Sequence, residues 1–281
     1  MKHSMQKMII NFTPTGMIPT REMTPHVPLT PQEIASDILL CAELGASMVH
    51  IHARDKDGSN TYKKEVYRDI ITRVRKQNRD IVIVVSTSGR TFADFEKRAE
   101  VLELDGEAKP DMASLTLGSI NFNKVASINP PEVIMKLARR MKERGIKPEL
   151  EVFDLGMVNC ARYLIEKGLL DPPYYFNFIL GNIAAAQASL LHLGLLIREL
   201  PENSFWSVGG VGRWQKTMNA IGVVSGEGGV RVGLEDNIWY DDKRTVLATN
   251  AMLVERVVQL AALVDRPLAT ARDARDMLEL K

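Results

Sequence analysis

Charge of one sign is what this chain most plainly lacks: 36 Lys and Arg stand against 35 Asp and Glu, a net +1 over 281 residues. Nothing electrostatic therefore points to nucleic acid or to an anionic membrane as a partner. Cysteine is scarce as well. Cys41 and Cys160 are the two present, and Cys41 falls in an apolar helical run, so a reducing, cytoplasmic setting is expected. No apolar run reaches bilayer-spanning length. The charged start, Met1-Lys2-His3-Ser4-Met5-Gln6-Lys7, is not followed by the apolar core of a signal peptide. No Ser/Gly/Pro linker, low-complexity tract or charge run divides the chain, so residues 1–281 read as one domain, with about 265–281 as a helical tail.

What the chain does have is a 45% hydrophobic composition arranged in short apolar runs that alternate with helical patterns. The runs are Met8–Phe12, Val49–His52, Ile81–Val85, Met112–Thr116, Pro148–Phe153, Tyr175–Leu180, Phe205–Val208 and Gly229–Gly233. Between them, helices are expected from Thr30 to Gly45 and over Val66–Val74, Ala93–Leu104, Pro131–Arg144, Val158–Lys167, Ile183–Leu200 and Trp214–Ile221. A long helix over Thr249–Val264 and an amphipathic piece near Thr270–Leu280 close the chain. Thr30-Pro31-Gln32-Glu33 carries a cap, a proline at the first helical position and an acid in the first turn. Eight strand-then-helix pairs in about 250 residues have the size and count of a (β/α)8 TIM barrel. A doubly wound parallel sheet is the alternative.

In such a barrel the active site lies at the C-terminal ends of the strands, and those ends are polar here. Histidine is rare, with five in the chain, yet His50 and His52 sit two apart on the second strand. Side chains two apart on a strand share a face, so both imidazoles can converge on one divalent metal. Ser86 ends the third strand, Ser114 and Thr116 share a face of the fourth, and Glu149 and Glu151 share a face of the fifth. A carboxylate inside a barrel is costly unless it pairs or works. Arg231 lies in the eighth strand, followed by Glu235 and Asp236. The third metal ligand is Glu151 or Glu235, and the residues alone leave that choice open. If Glu235 binds, Asp236 is placed to act as a base.

The loop Val208-Gly209-Gly210-Val211-Gly212-Arg213-Trp214 follows the seventh strand. Its glycines let backbone N–H groups close on phosphates and Arg213 adds charge, where barrels often place a phosphate site. A phosphate-bearing cofactor is expected there. It is not a nicotinamide, because no strand–GxGxxG–helix segment with a distal acid exists.

With these residues in view, the chain resembles the β-keto acid cleavage enzymes over nearly its whole length. The resemblance rests on Pro14-Thr15-Gly16, His50-Ile51-His52-Ala53-Arg54-Asp55, Val85-Ser86-Thr87-Ser88-Gly89 and Leu117-Gly118-Ser119-Ile120-Asn121-Phe122. It continues through Pro148-Glu149-Leu150-Glu151-Val152-Phe153, Gly210-Val211-Gly212-Arg213-Trp214 and Val230-Arg231-Val232-Gly233-Leu234-Glu235-Asp236-Asn237. It implies a zinc ion on His50, His52 and Glu235, with Asp236 as the base. Arg231 and Ser86 assist, and Glu151 lines the pocket. It also implies acetyl-CoA as co-substrate, a β-keto acid converted to acetoacetate plus a new acyl-CoA, and a homotetramer.

Two other readings stand beside it. Amidohydrolase-type zinc barrels also use an HxH pair, but on the first strand and with later histidines, whereas His192 here lies within a helical run. A silent CoA- or acid-sensing barrel would show a damaged base or ligand. Met17, Ile18 and Trp214 are further pocket candidates. The family member that cleaves 3-keto-5-aminohexanoate carries an acid where this chain has Ile18, so a substrate with a neutral or apolar tail is expected.

Overall fold

The computed structural model describes residues 6–280, so His3 and most of the charged N-terminal segment lie outside the described residues. Eight strands close into one parallel barrel. They are β1 (Ile10–Phe12), β2 (Met48–Ile51), β3 (Val82–Val85), β4 (Met112–Thr116), β5 (Lys147–Val152), β6 (Tyr174–Leu180), β7 (Ser204–Gly210) and β8 (Gly229–Val232). Each pairs with its neighbours in sequence, and β8 returns to β1 with Arg231 opposite Asn11. A doubly wound sheet is thereby ruled out.

The helices are α1 (Pro31–Leu44), α2 (Lys64–Arg75), α3 (Phe95–Ala99), α4 (Pro131–Arg144), α5 (Leu155–Glu166), α6 (Leu190–Arg198), α7 (Gln215–Val224), α8 (Asn250–Leu263) and α9 (Ala271–Met277). At α1 the capping signal is fully used: the Thr30 hydroxyl accepts from Glu33 N–H, and Glu33 accepts from Thr30 N–H at 2.9 Å. No helix among the described residues is long and apolar enough to cross a membrane.

Three local expectations are corrected. The helix expected from Ile183 begins at Leu190, because the Ser189 side chain caps it by accepting His192 N–H. Residues 182–188 instead form a loop, drawn over the barrel mouth by Ala186 N–H donating to Phe153 O and by Gly181 N–H donating to Ala186 O. The helix expected over Ala93–Leu104 is a short α3 that tightens into a 3-10 turn at Glu100–Glu103. The seventh strand runs on to Gly210, so Gly209 and Gly210 belong to it and not to the loop. An antiparallel ribbon of Ile120–Asn121 with Ala126–Ser127, not foreseen, projects after β4.

Inside the barrel, period-2 alternation separates two layers. The lower one is apolar: Met48, Val82, Val84, Met112 and Tyr175 pack together. Ala269, Ala274 and Leu278 from the C-terminal segment join that cluster, so α9 forms a floor under the strands. Arg275 fastens it, donating to Asp80 O at 2.7 Å and to the Asp111 carboxylate at 2.7 Å. The layer above is polar, and the candidate site begins there.

Candidate active site

The site grows from one buried carboxylate. Glu149 on β5 is fully buried, a position that burial alone would make costly for its charge. Three neighbours answer it: Asn11 Nδ2 donates at 2.6 Å, Asn177 Nδ2 donates at 2.9 Å, and His50 Nδ1 lies 2.6 Å away. Burial would raise the Glu149 carboxyl, but the His50 ring and Asn11 hold it below the usual carboxylate range. Burial likewise opposes the His50 imidazolium, and Glu149 overrides it, raising the ring to about 9. With Glu149 held at Nδ1, the ring turns Nε2 to the cavity, where a bound metal would displace the second proton and take up the Nε2 lone pair.

That lone pair meets two more donors. His50 Nε2 lies 3.2 Å from His52 Nε2, and His52 Nε2 lies 3.2 Å from Glu235 Oε1. These atoms form a group compact enough for one ion. With bonds of about 2.0–2.1 Å, a tetrahedral zinc needs ligand atoms roughly 3.3–3.4 Å apart, close to the spacing here. Glu235 Oε2 is buried and has no hydrogen-bond partner, the mark of an oxygen that suits a cation. The residues therefore fit a divalent metal. A second grouping of His50, Glu149 and Glu151 is also within reach, but Glu149 is already saturated by Asn11, Asn177 and His50 Nδ1. It orients the ligand His50 in the manner usual for metal-bound imidazoles.

Arg231 crosses the top of the polar layer, 1% exposed. Its Nε donates to Asp236 Oδ2 at 2.8 Å and its Nη2 to Asp236 Oδ1 at 3.2 Å, with Glu235 Oε1 at 2.8 Å. Nη1 is buried without a partner. Burial opposes the guanidinium charge, but Asp236 and Glu235 secure it well above the ordinary arginine range. Gly209 makes room for this side chain, since a β-carbon there would lie 3.0 Å from Arg231 Cβ.

A cavity of about 530 Å³ opens over these groups, lined in part by His52, Ser86, Thr116, Glu151, Arg231, Glu235 and Asp236. Met17, Ile18, Gly212, Arg213 and Trp214 line it as well. Thr116 Oγ1 donates to Glu151 Oε2 at 2.6 Å, fixing that carboxylate against the wall. Ser114 lies elsewhere. It sits below the cavity, where its hydroxyl accepts from Thr87 N–H at 3.1 Å, so it positions the loop after β3 and does not line the pocket.

The glycine loop also differs from the phosphate cradle expected of it. Val211 N–H donates to Leu180 O, Gly212 N–H to Asp236 O at 2.7 Å, and Trp214 N–H to Val211 O. Those donors are engaged within the protein. A β-carbon at Gly210 would lie 2.4 Å from Trp214 O, so that glycine serves close packing. The exposed Arg213, stacked over Trp214 at 4.8 Å, remains as charge at the mouth. His192 stays out of the metal group, its Nδ1 accepting from Gln187 N–H at 2.8 Å.

Several contributors were missed in the sequence. Asn11 and Asn177 sit inside otherwise apolar runs, and that break in alternation was the signal available. Arg54, just past the two histidines, donates from Nε and Nη2 to Gly16 O at 3.1 and 2.7 Å, holding the loop after β1 across Glu235. Arg90 lines the cavity too, and no motif marked it.

A family model described as beta-keto acid cleavage enzyme matches residues 7–280. The chain is 39% identical over 278 residues to the 3-keto-5-aminohexanoate cleavage enzyme of Fusobacterium nucleatum, covering 99% of each. It is 36% identical over 278 residues to the 3-oxoadipate:acetyl-CoA acetyltransferase of Cupriavidus necator, covering 98% of this chain and 95% of that one. Among solved structures, the binary complex of ObcA with oxaloacetate superimposes with a TM-score of 0.76 at 21% identity, over 91% of this chain and 68% of that chain. At that identity the likeness bears on the fold alone.

Proposed function

The chain belongs to the beta-keto acid cleavage enzyme family, and on that premise we propose that it converts a β-keto acid and acetyl-CoA into acetoacetate and a new acyl-CoA. In that exchange the acetyl group joins carbon 2 of the acid, CoA takes the remaining acyl group, and the bond between carbons 2 and 3 breaks. Relatives whose names couple a keto acid to acetyl-CoA support the reading. The observation that carries it is the meeting of His52, Glu235, Asp236 and Arg231 on one cavity wall.

His50, His52 and Glu235 would hold a zinc ion, which supplies Lewis acidity to a bound ketone and carboxylate. Asp236 takes the proton from carbon 2. Arg231 keeps Asp236 and Glu235 oriented, and its unpartnered Nη1 meets oxyanion charge. Ser86 donates its hydroxyl to the acid. Glu151, braced by Thr116, shapes the pocket wall. At the mouth Arg213 and Trp214 meet the CoA arm, while Gly209, Gly210 and Gly212 give the turn its shape. Ile18, on the cavity wall and 52% exposed, offers an ammonium no partner.

The reading extends to a cytoplasmic homotetramer. Helix α6 supports assembly: Leu193 and Leu196 pack inward, yet Leu190 and Leu191 are 70% and 69% exposed. A helix apolar on both faces is normally covered on both. Leu191→Glu should lower the mass measured by light scattering, and an unchanged mass would remove α6 from the interface.

The test is direct. The purified protein with zinc should form acetoacetate from acetyl-CoA and a β-keto acid, lose that activity to a chelator and regain it with zinc. Hydrolysis of amides without CoA would instead favour an amidohydrolase-type enzyme.

A further inference from the structure

We infer that Arg90 receives a second, distal carboxylate of the substrate, so that the preferred acid is a dicarboxylic β-keto acid; the inference rests on the reaction proposed above. Arg90 lies in the loop after β3 and lines the same cavity as His52 and Glu235. Its guanidinium carbon stands 3.5 Å from the centre of the Phe122 ring. Phe122 is braced edge-on by Phe153, with ring centres 5.6 Å apart. The unforeseen ribbon thus has a use: it carries Phe122 as a shelf that fixes the guanidinium before any ligand arrives.

The cation so held is short of partners. Its Nε is buried with no hydrogen bond, and among the described residues no carboxylate forms an ion pair with it. The buried arginines around the barrel mouth differ from this half-buried one. Arg231 has Asp236 and Glu235. Arg54 is satisfied by Gly16 O, Pro19 O and Gly58 O. Arg98 donates to Thr87 O and Asn129 Oδ1, both at 2.8 Å. Arginine stays charged in proteins, and a desolvated charge without a counter-ion is costly. A carboxylate offers two oxygens to a planar fork, which is the partner this cation lacks.

Two other occupants fit less well. The phosphates of a CoA thioester lie at the far end of its pantetheine arm, and the exposed Lys124, Arg213 and Arg244 provide charge at the cavity mouth. Arg90 is deeper, within the field of Glu235, Glu151 and Asp236. The neutral tail expected from Ile18 would leave Arg90 buried beside methylenes and unpaired. Ile18 still turns away an ammonium, and Arg90 adds repulsion to that exclusion.

The experiment compares 3-oxoadipate with 3-oxohexanoate, acids of one length differing in the far group, at saturating acetyl-CoA. The wild-type kcat/KM ratio should favour the diacid by about 100-fold, because a site built to pair a polar group strongly rejects the analogue lacking it. In Arg90→Met the ratio should fall to near unity. A ratio that survives the substitution, or a wild-type enzyme indifferent to the far carboxylate, would overturn the inference. Should neither acid be turned over, the proposed reaction fails, and calorimetric binding of the two acids to both proteins decides Arg90 separately. Tighter diacid binding that Arg90→Met removes supports it, and equal binding of the two acids overturns it.

Discussion

Gly16 sits directly upon Glu235: a β-carbon at Gly16 would lie 2.4 Å from Glu235 Cγ and 2.9 Å from its Cα. The loop after β1 and the loop after β8 therefore share one space, and the glycine is the reason they can. Its φ of +63° is in the left-handed region, which costs a side-chain-bearing residue about 1–2 kcal/mol before any collision. Gly16→Ala should displace Glu235 and release metal while leaving the barrel folded. Zinc content by elemental analysis should fall well below one per chain, with the far-ultraviolet spectrum preserved. Full zinc retention would show that Glu235 tolerates the push.

Glu149 does not line the cavity over the site, yet its contact with Nδ1 decides that His50 turns Nε2 towards the metal group. Deleting its side chain would strand a buried imidazole and two amides, at about 3–5 kcal/mol for breaking a buried pair. The gentler Glu149→Gln keeps the shape and removes the charge. Zinc affinity by chelator competition should drop by roughly 10–100-fold, the usual cost of losing a ligand's outer partner. Affinity within twofold of wild type would mean that a neutral amide at this position orients His50 as well as the carboxylate does.

Asp236→Asn preserves the size of the proposed base and removes its ability to take a proton. Turnover should fall by about 10²–10⁴-fold, while zinc content and keto acid binding by calorimetry stay close to wild type. Loss of zinc together with turnover would recast Asp236 as a support for Glu235 through Arg231.

Arg213 is the charge the glycine loop itself offers at the mouth once its backbone donors are accounted for. Arg213→Ala should raise the KM for acetyl-CoA about tenfold, in keeping with one charge-assisted contact, and move the keto acid KM far less. Equal changes in both would place Arg213 on the acid's side of the cavity.

The fold was legible because parallel barrel strands are continuous apolar runs, and eight of them stood out between helical patterns. Boundaries failed where a local hydrogen bond outweighed the pattern. Ile183 to Ala188 reads as helix, but Ser189 caps the chain later and Phe153 O draws the segment into a loop. His50 and His52 could be paired from spacing alone, whereas their meeting with Glu235 depends on β8 closing against β1, which no local signal encodes. Ser114 and Thr116 look alike on one strand face, and only depth separates them. The Gly209-Gly210 pair read as a cradle because a glycine making room for Arg231 or Trp214 has the same letter as one making room for phosphate.

The floor beneath the strands has a consequence for biosynthesis. Every barrel strand leaves the ribosome before α9, so the apolar lower layer has no cover until α9 arrives. During that interval Met48, Val82, Val84, Met112 and Tyr175 present a greasy well to chaperones or to other nascent copies, the kind of transient exposure that invites aggregation. A premature stop a few codons before Ala271 would leave every proposed metal ligand and the base encoded, and would yield a protein whose difficulty is solubility.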